Sequence, residues 1–156
     1  MAKSEDNDFI RHFTESLISN LSEEGSVIVY NKSFESARNN EIGQMYPEFK
    51  DDLERINRNM IDFMESFKQK NYYTKEMQGS HSLKQVLPAL FPDNSELDYS
   101  NLALVHEAQE ASDTFSTLKE ETPQKQEAIR RGLLDYCKLD TYAMVKIYEK
   151  FKEAIE

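Results

Sequence analysis

Apolar side chains recur every three or four residues along most of the chain, and this spacing predicts amphipathic helices. The first helix is predicted to start at Asp8, a candidate N-cap, after a disordered tail over 1–7. The second is predicted to start at Asn31 or Ser33. A single domain is expected over 8–156. This second helix is predicted to end near Gly43 or Pro47. The regions with helical spacing are 8–22, 48–70, 101–120 and 123–156, with a shorter apolar stretch at 80–92 that Pro88 and Pro92 limit.

One segment, "SVIVY" at 26–30, has the β-branched, nearly continuous apolar character of a strand buried on both faces. A second segment, "NMIDFM" at 59–64, either continues the preceding helix or forms another short strand, and its periodicity leaves both interpretations open. The pattern therefore predicts an α/β fold that is mostly helical, with one or two short strands packed by four to five helices.

The composition is that of a soluble protein, with 38% hydrophobic and 31% charged residues. No apolar run approaches the ~20 residues that a membrane-spanning helix needs, so no membrane association is expected. The single cysteine, Cys137, cannot form an internal disulfide, which favours a cytoplasmic location. The net charge of −10 argues against tight, metal-free binding of nucleic acid, although bound cations can reverse the charge of a site.

Asp140 interrupts the apolar stripe of the last helical region. Burying an ionised carboxylate is costly without a partner, which predicts one of three roles. Asp140 caps a new helix after a kink at Lys138–Leu139, pairs with an Arg or Lys, or binds a metal ion. Tyr136 lies one helical turn earlier, so the two side chains form either a hydrogen-bonded core pair or a metal ligand with a group that positions water.

Two further acidic residues follow or occupy the predicted strands. Glu35 comes shortly after "SVIVY", and the carboxyl end of a buried strand is a common place for functional groups in α/β proteins. The helix dipole explains a Glu in the first turn of a helix equally well. Asp62 belongs to the ambiguous segment 59–64, and pairing with Arg58 at i, i+4 is the simple explanation for it.

Three stretches together resemble a known group of proteins: "VIVYNKSFE", "GSHSLKQVLPALFPD" and "LLDYCKLDTYAMVKI". They are similar to a bacterial C-terminal domain family of unknown function that is associated with RecB-like nuclease proteins. That family is similar to DnaQ-like (DEDD) 3'-5' exonucleases of the ribonuclease H-like superfamily. The resemblance implies a partial ribonuclease H-like fold from Asp8 onward.

The resemblance also implies roles for individual residues. "NKSFE" matches the second exonuclease motif, Asn-x-x-Phe-acid, and "YCKLD" matches a third motif, Tyr-x-x-x-Asp. By this resemblance Glu35 and Asp140 bind Mg²⁺ or Mn²⁺, and Tyr136 orients or deprotonates the attacking water. Asp62 matches an acidic position after a short strand and is a third candidate metal ligand.

The first exonuclease motif, Asp-x-Glu on an opening strand, has no counterpart in the sequence. The resemblance therefore implies a fragment or degenerate relative of a metal-dependent exonuclease, with weak or no activity by itself and with nucleic acid bound weakly or only by the full-length protein. The alternative from a different functional class is a non-catalytic helical interaction module. In that case a second copy or a partner chain covers an exposed edge of the strand at 26–30.

Overall fold

The computed structural model of the protein describes residues 4–104 and 108–156, which are mostly helical. This confirms the predicted class, a mostly helical protein with a small β element, and the ribonuclease H-like topology stays a prediction. The helices and strands of the described part are α1 (Ser4–Asn20), β1 (Val27–Val29), α2 (Lys32–Met45), α3 (Lys50–Asn59), β2 (Met60–Asp62), α4 (Phe63–Lys68), α5 (Leu83–Leu90), α6 (Ala108–Thr117) and α7 (Pro123–Ile155).

These described residues contain seven α-helices, more than the four or five predicted, because the region 48–70 divides into α3 and α4 and the shorter stretch at 80–92 forms α5. The backbone becomes extended at Met60, where φ is −69° and ψ is 131°, and this ends α3. Of the two interpretations of 59–64, the strand is therefore correct, over Met60–Asp62.

The strands β1 and β2 form a two-stranded parallel sheet in the described part of the chain. Val27 lies opposite Met60 and Val29 lies opposite Asp62. Parallel strands need a crossover connection, and α2 and α3 supply it while packing against each other. The carboxyl ends of the two strands consequently meet at one edge of the sheet.

The chain divides into two compact units, Met1–Ser66 and Phe67–Glu156. The core of the first unit centres on Leu53 and Ile56 of α3, each 1% exposed, and on Met60. Partly buried apolar side chains from α1 and the residue after it, from β1, from α2 and from the turn after α2 pack against this centre: Leu17, Ile18, Leu21, Val27, Val29, Ile42 and Phe49. The sheet thus packs one face on this core through Val27, Val29 and Met60, whereas Ile61 is 49% exposed. β1 is only partly buried along its length, so the prediction of a strand buried on both faces is wrong.

In the second unit α7 is one unbroken helix from Pro123 to Ile155. Its buried positions Leu139, Ala143 and Ile147 repeat every four residues, as expected for one face of a helix. Because the helix continues through Lys138 and Leu139, the kink considered at that point is absent. This excludes the alternative in which Asp140 is the N-cap of a new helix.

Two predicted boundaries differ from the structure. The helix α1 begins at Ser4, four residues before Asp8, and an acidic N-terminal segment favours a helix start there. Residues 1–3 of the predicted tail lie outside the described residues. The helix predicted over 101–120 is shorter, since α6 covers Ala108–Thr117 and a single 3-10 turn follows it; residues 105–107 also lie outside the described residues. The single domain predicted over 8–156 stays a prediction.

Within the described ranges, none of the helices combines the length and the apolar composition required to cross a bilayer.

Candidate functional site

Asn31 shapes the junction between β1 and α2. It has a φ of 80°, a left-handed conformation that Asn adopts more readily than most residues. Its side-chain oxygen accepts hydrogen bonds from the backbone N–H of Phe34 at 3.3 Å and from the hydroxyl of Ser33 at 2.9 Å. Asn31 is therefore the N-cap of α2, one of the two candidates that the sequence left open.

Asp62, the last residue of β2, binds the same junction from the neighbouring strand. Its carboxylate accepts hydrogen bonds from the backbone N–H groups of Asn31 at 3.0 Å and Lys32 at 2.8 Å, and from that of Met64 at 2.9 Å. An ionised carboxylate offers about four lone-pair positions, so three backbone donors use most of its capacity. Asp62 thus fixes the path of the chain from β1 into α2 and also caps the start of α4.

Two further polar groups, the Tyr30 hydroxyl and the Lys32 ammonium group, belong to this junction. Burial, together with the negative charge of Asp62, raises the pKa of the Tyr30 hydroxyl far above its usual range, so that the phenol stays neutral. The ammonium group of Lys32 donates a hydrogen bond to the backbone oxygen of Met60 at 2.9 Å. The junction therefore combines one carboxylate, one ammonium group and one neutral phenol at the carboxyl edge of the sheet.

Glu35 is half-buried in the first turn of α2, where the helix dipole favours a negative charge. It lines a cavity of about 320 Å³ in the first unit, near the lower end of the roughly 300–1,000 Å³ range of ligand pockets. The lining is mostly apolar, and its members are Phe13, Leu17, Leu21, Val27, Val29, Glu35, Arg38, Asn39, Ile42, Ile56 and Met60. Glu35 contributes the carboxylate of this cavity wall.

Asp140 is half-buried on α7 in the second unit, and its carboxylate accepts a hydrogen bond from the Tyr99 hydroxyl. Burial raises the pKa of Asp140, and the hydrogen bond from Tyr99 offsets only part of this rise. The rings of Tyr99 and Tyr136 lie 5.7 Å apart between centroids at an angle of 52°. Tyr99 therefore links the two candidates on α7, since its hydroxyl binds Asp140 and its ring lies against that of Tyr136.

Tyr99 is the residue of this site that the sequence did not reveal. It lies in a 3-10 turn, Tyr99–Asn101, whose pattern "DYSN" has no helical or strand periodicity. It is 5% exposed and stands 41 residues before Asp140 in the chain. A tyrosine in a loop becomes a partner of a helical carboxylate only through tertiary packing, so no local signal could have identified it.

Asp140 also influences the neighbouring thiol. Cys137 is exposed, and its pKa is raised first by partial desolvation of the thiol and then by the negative charge of Asp140. The thiolate is the reactive form of cysteine, so this thiol is kept in its less nucleophilic, protonated state at neutral pH.

The candidate residues are divided between the two units. Glu35 and Asp62 belong to the first unit and are attached to adjacent strand ends, whereas Tyr136 and Asp140 belong to the second unit and share one face of α7. Among residues 4–104 and 108–156 there is no group of three or more His, Cys, Asp or Glu side chains that could hold a metal ion.

Comparison with known sequences provides a family. The sequence model of a family described as "Domain of unknown function (DUF2779)" matches residues 1–82, which are 82 of the 156 residues. The chain belongs to the DUF2779 family. The match includes Glu35 and Asp62 but not Tyr136 and Asp140. No curated protein and no solved structure matches this DUF2779 chain.

Membership of a family of unknown function was expected from the sequence and is confirmed. The association of this DUF2779 chain with RecB-like nuclease proteins and its similarity to DnaQ-like exonucleases stay predictions.

Proposed function

We propose that this DUF2779 chain is part of a metal-dependent 3'-5' exonuclease domain that hydrolyses nucleic-acid phosphodiesters. The observation that supports the proposal best is the junction at the carboxyl edge of the parallel strands. There β1 leads directly into the helix that carries Glu35, and β2 ends in Asp62. Functional groups of α/β proteins cluster at such an edge, where two strands deliver side chains to the same place.

The acidic residues differ in how well they suit a metal ion. Mg²⁺ and Mn²⁺ prefer oxygen ligands, which Glu35 and Asp140 supply from half-buried positions. A nearby cation would also offset the cost of burying the Asp140 carboxylate. Asp62 fits the role of a ligand poorly, because three backbone N–H groups already occupy its oxygens. Under the proposal Asp62 instead positions the start of α2, and with it Glu35.

The proposed chemistry is hydrolysis, in which bound cations stabilise the attacking and leaving oxygens of the phosphodiester. Tyr136 is proposed to orient the attacking water, in keeping with the Tyr-x-x-x-Asp resemblance. Because the described residues do not contain a group of three or more potential metal ligands, the proposal requires further acidic ligands from outside that set. The isolated chain should then hydrolyse nucleic acid weakly or not at all.

Metal binding is tested by measuring thermal unfolding with and without Mn²⁺. When Mn²⁺ is present at about 100 times its dissociation constant, the stabilisation is about 2.7 kcal/mol, and a shift of roughly 5 °C or more in Tm is expected. Glu35→Gln and Asp140→Asn should each reduce this shift, because each removes a charged oxygen ligand. Glu41→Gln on α2 and Asp135→Asn on α7 are the matched controls, and both should keep it.

The second measurement is an activity assay with single-stranded DNA and RNA in the presence of Mg²⁺ or Mn²⁺. Little or no cleavage is expected from the chain alone. Robust cleavage that Glu35→Gln abolishes would show that the chain is complete and that this part of the proposal is wrong. An unchanged Tm with Mn²⁺ in the unmodified protein would remove the support for a metal site altogether.

A second candidate function, a non-catalytic helical interaction module, is favoured by a specific observation. Both Asp62 and Asp140 accept hydrogen bonds from groups of the protein itself, as structural carboxylates do. On this view the motifs stabilise the fold only. The Mn²⁺ titration separates the two functions. If the chain is a structural module, any rise in Tm with Mn²⁺ should be the same in the Glu35→Gln and Asp140→Asn variants as in the unmodified protein.

A further inference from the structure

The long helix α7 carries a second apolar stripe that faces away from the core. Its large members are strongly exposed: Leu134 is 70% exposed, Val145 49%, Tyr148 51% and Ile155 85%. With the exposed Thr141 between them, these residues form what is called here the outer stripe. Single exposed apolar residues are common on proteins, but a row of them along one helix marks an interaction surface.

The geometry of the helix separates this stripe from the buried face. At about 100° per residue, Leu139, Ala143 and Ile147 point to one side of α7, and the outer stripe lies close to the opposite side. The helix therefore has two apolar faces, and the core of the second unit uses one of them.

The spacing of the outer stripe indicates what covers it. Positions 134, 141, 148 and 155 are seven residues apart, and Val145 lies three residues before Tyr148. This is the heptad spacing with which helices pack against each other side by side. An identical helix has the same spacing and the same length, so a second copy of the chain fits the stripe, and the contact would be self-complementary.

Charge determines the direction of the second helix. In a parallel, in-register pair Lys138 and Lys152 would each face the same lysine of the second copy. In an antiparallel pair centred near Met144, Lys138 comes within two residues of Glu149 of the second copy, and Lys152 within two residues of its Asp135. The antiparallel arrangement thus replaces two like-charge contacts with opposite-charge contacts.

The apolar positions agree with the same arrangement. An antiparallel centre near Met144 places Leu134 beside Ile155 of the second copy, Thr141 beside its Tyr148, and the two Val145 side chains near each other. We propose that the protein forms a homodimer in which the outer stripe of α7 packs antiparallel against the outer stripe of a second copy. The contact would run for about 30 Å, given a rise of about 1.5 Å per residue.

The first test is sedimentation equilibrium of the full chain over a wide range of protein concentration. A reversible dimer is expected, and Val145→Glu should raise its dissociation constant at least about tenfold, because it would bury a charge in the contact. The matched control is Ile61→Glu, since Ile61 is also β-branched and 49% exposed but lies on β2. It should leave the dimer unchanged.

Three outcomes of this experiment would overturn the proposal. They are a monomer at all concentrations, a dimer that Val145→Glu does not weaken, and a dimer that Ile61→Glu weakens instead. The last outcome would place the contact at the sheet. Circular dichroism of each variant should show unchanged helix content, which is expected because both positions are exposed.

The second test uses disulfide formation to read the direction of the helices, in a Cys137→Ser background. In the antiparallel pair two cysteines introduced by Val145→Cys would lie about 3 Å apart along the axis and should form a disulfide. Cysteines introduced by Lys152→Cys would lie roughly 24 Å apart and should not. Efficient cross-linking through Lys152→Cys would show that the helices are parallel and would contradict the proposed arrangement.

Discussion

At the scale of single residues, Asp140 places a carboxylate on the apolar face of a helix, and this affects stability as well as chemistry. Burial raises its pKa, so the folded protein binds a proton at this site more tightly than the unfolded chain does. Keeping the carboxylate ionised at pH 7 therefore costs free energy. As the pH falls through the raised pKa of the folded state toward ~4, the group takes up its proton in the fold and that cost is relieved.

Asp140→Asn keeps an oxygen that can accept the Tyr99 hydrogen bond but removes the charge. We expect this variant to be more stable than the original protein at pH 7 in the absence of metal, with a difference that shrinks as the pH approaches ~4. Urea unfolding at a series of pH values measures this difference. A pH-independent difference for Asp140→Asn would show that the carboxylate does not titrate in this environment.

Tyr99→Phe should instead reduce stability at pH 7 by about 1–3 kcal/mol, since the Asp140 carboxylate loses a hydrogen-bond donor.

At the scale of structural elements, Gly132 decides how closely the segment before α6 approaches α7. A Cβ atom added at Gly132 would lie 2.9 Å from the Cβ of Leu104 and 3.1 Å from its Cδ2. The nearer atom is at the base of the Leu104 side chain, so a change of rotamer cannot relieve the contact. Glycine within a helix normally costs up to about 1 kcal/mol relative to alanine, and here it is required by the close approach.

Gly132→Ala should therefore destabilise the second unit even though alanine is the better helix former. A steric cost of about 1–3 kcal/mol against a gain of about 1 kcal/mol in helix propensity gives a net loss of roughly 1 kcal/mol. Urea unfolding measures this loss. Adding Leu104→Gly removes the clashing Cβ and should reduce the penalty of Gly132→Ala in a double-mutant cycle. A stabilised Gly132→Ala variant would show that the segment moves away at little cost.

The predictability of each element depends on whether its signal is local. The helices α1, α5 and α7 follow the apolar periodicity, α2 follows its N-cap signal at Asn31, and the strand β1 follows its β-branched residues. The ambiguity at 59–64 was real, because "MID" becomes a strand only by pairing with Val27–Val29, more than 30 residues away. In the same way, the Asp62 carboxylate reaches the β1–α2 junction because β2 lies beside β1, and the local sequence around Asp62 does not reveal this. Long-range pairing, which periodicity does not encode, accounts for both.

At the scale of the whole molecule, the chain divides into two compact units whose cores are contributed by different segments. Ile56, 1% exposed, lies in the centre of the first core, and Ile147, fully buried, belongs to the second unit. Whether these cores unfold together is a question about cooperativity, and it bears directly on the single domain that the sequence predicted over 8–156. Two separate cores can open independently, as local units of many proteins do.

Ile56→Ala should cost about 2–5 kcal/mol by leaving a cavity in the first core. If the units unfold independently, amide hydrogen exchange followed by mass spectrometry should become faster in peptides from the first unit and stay unchanged in those from the second. Ile147→Ala is the matched substitution and should give the reverse pattern. Faster exchange throughout the chain in both variants would instead show one cooperative domain, because a single unfolding equilibrium then controls every buried amide.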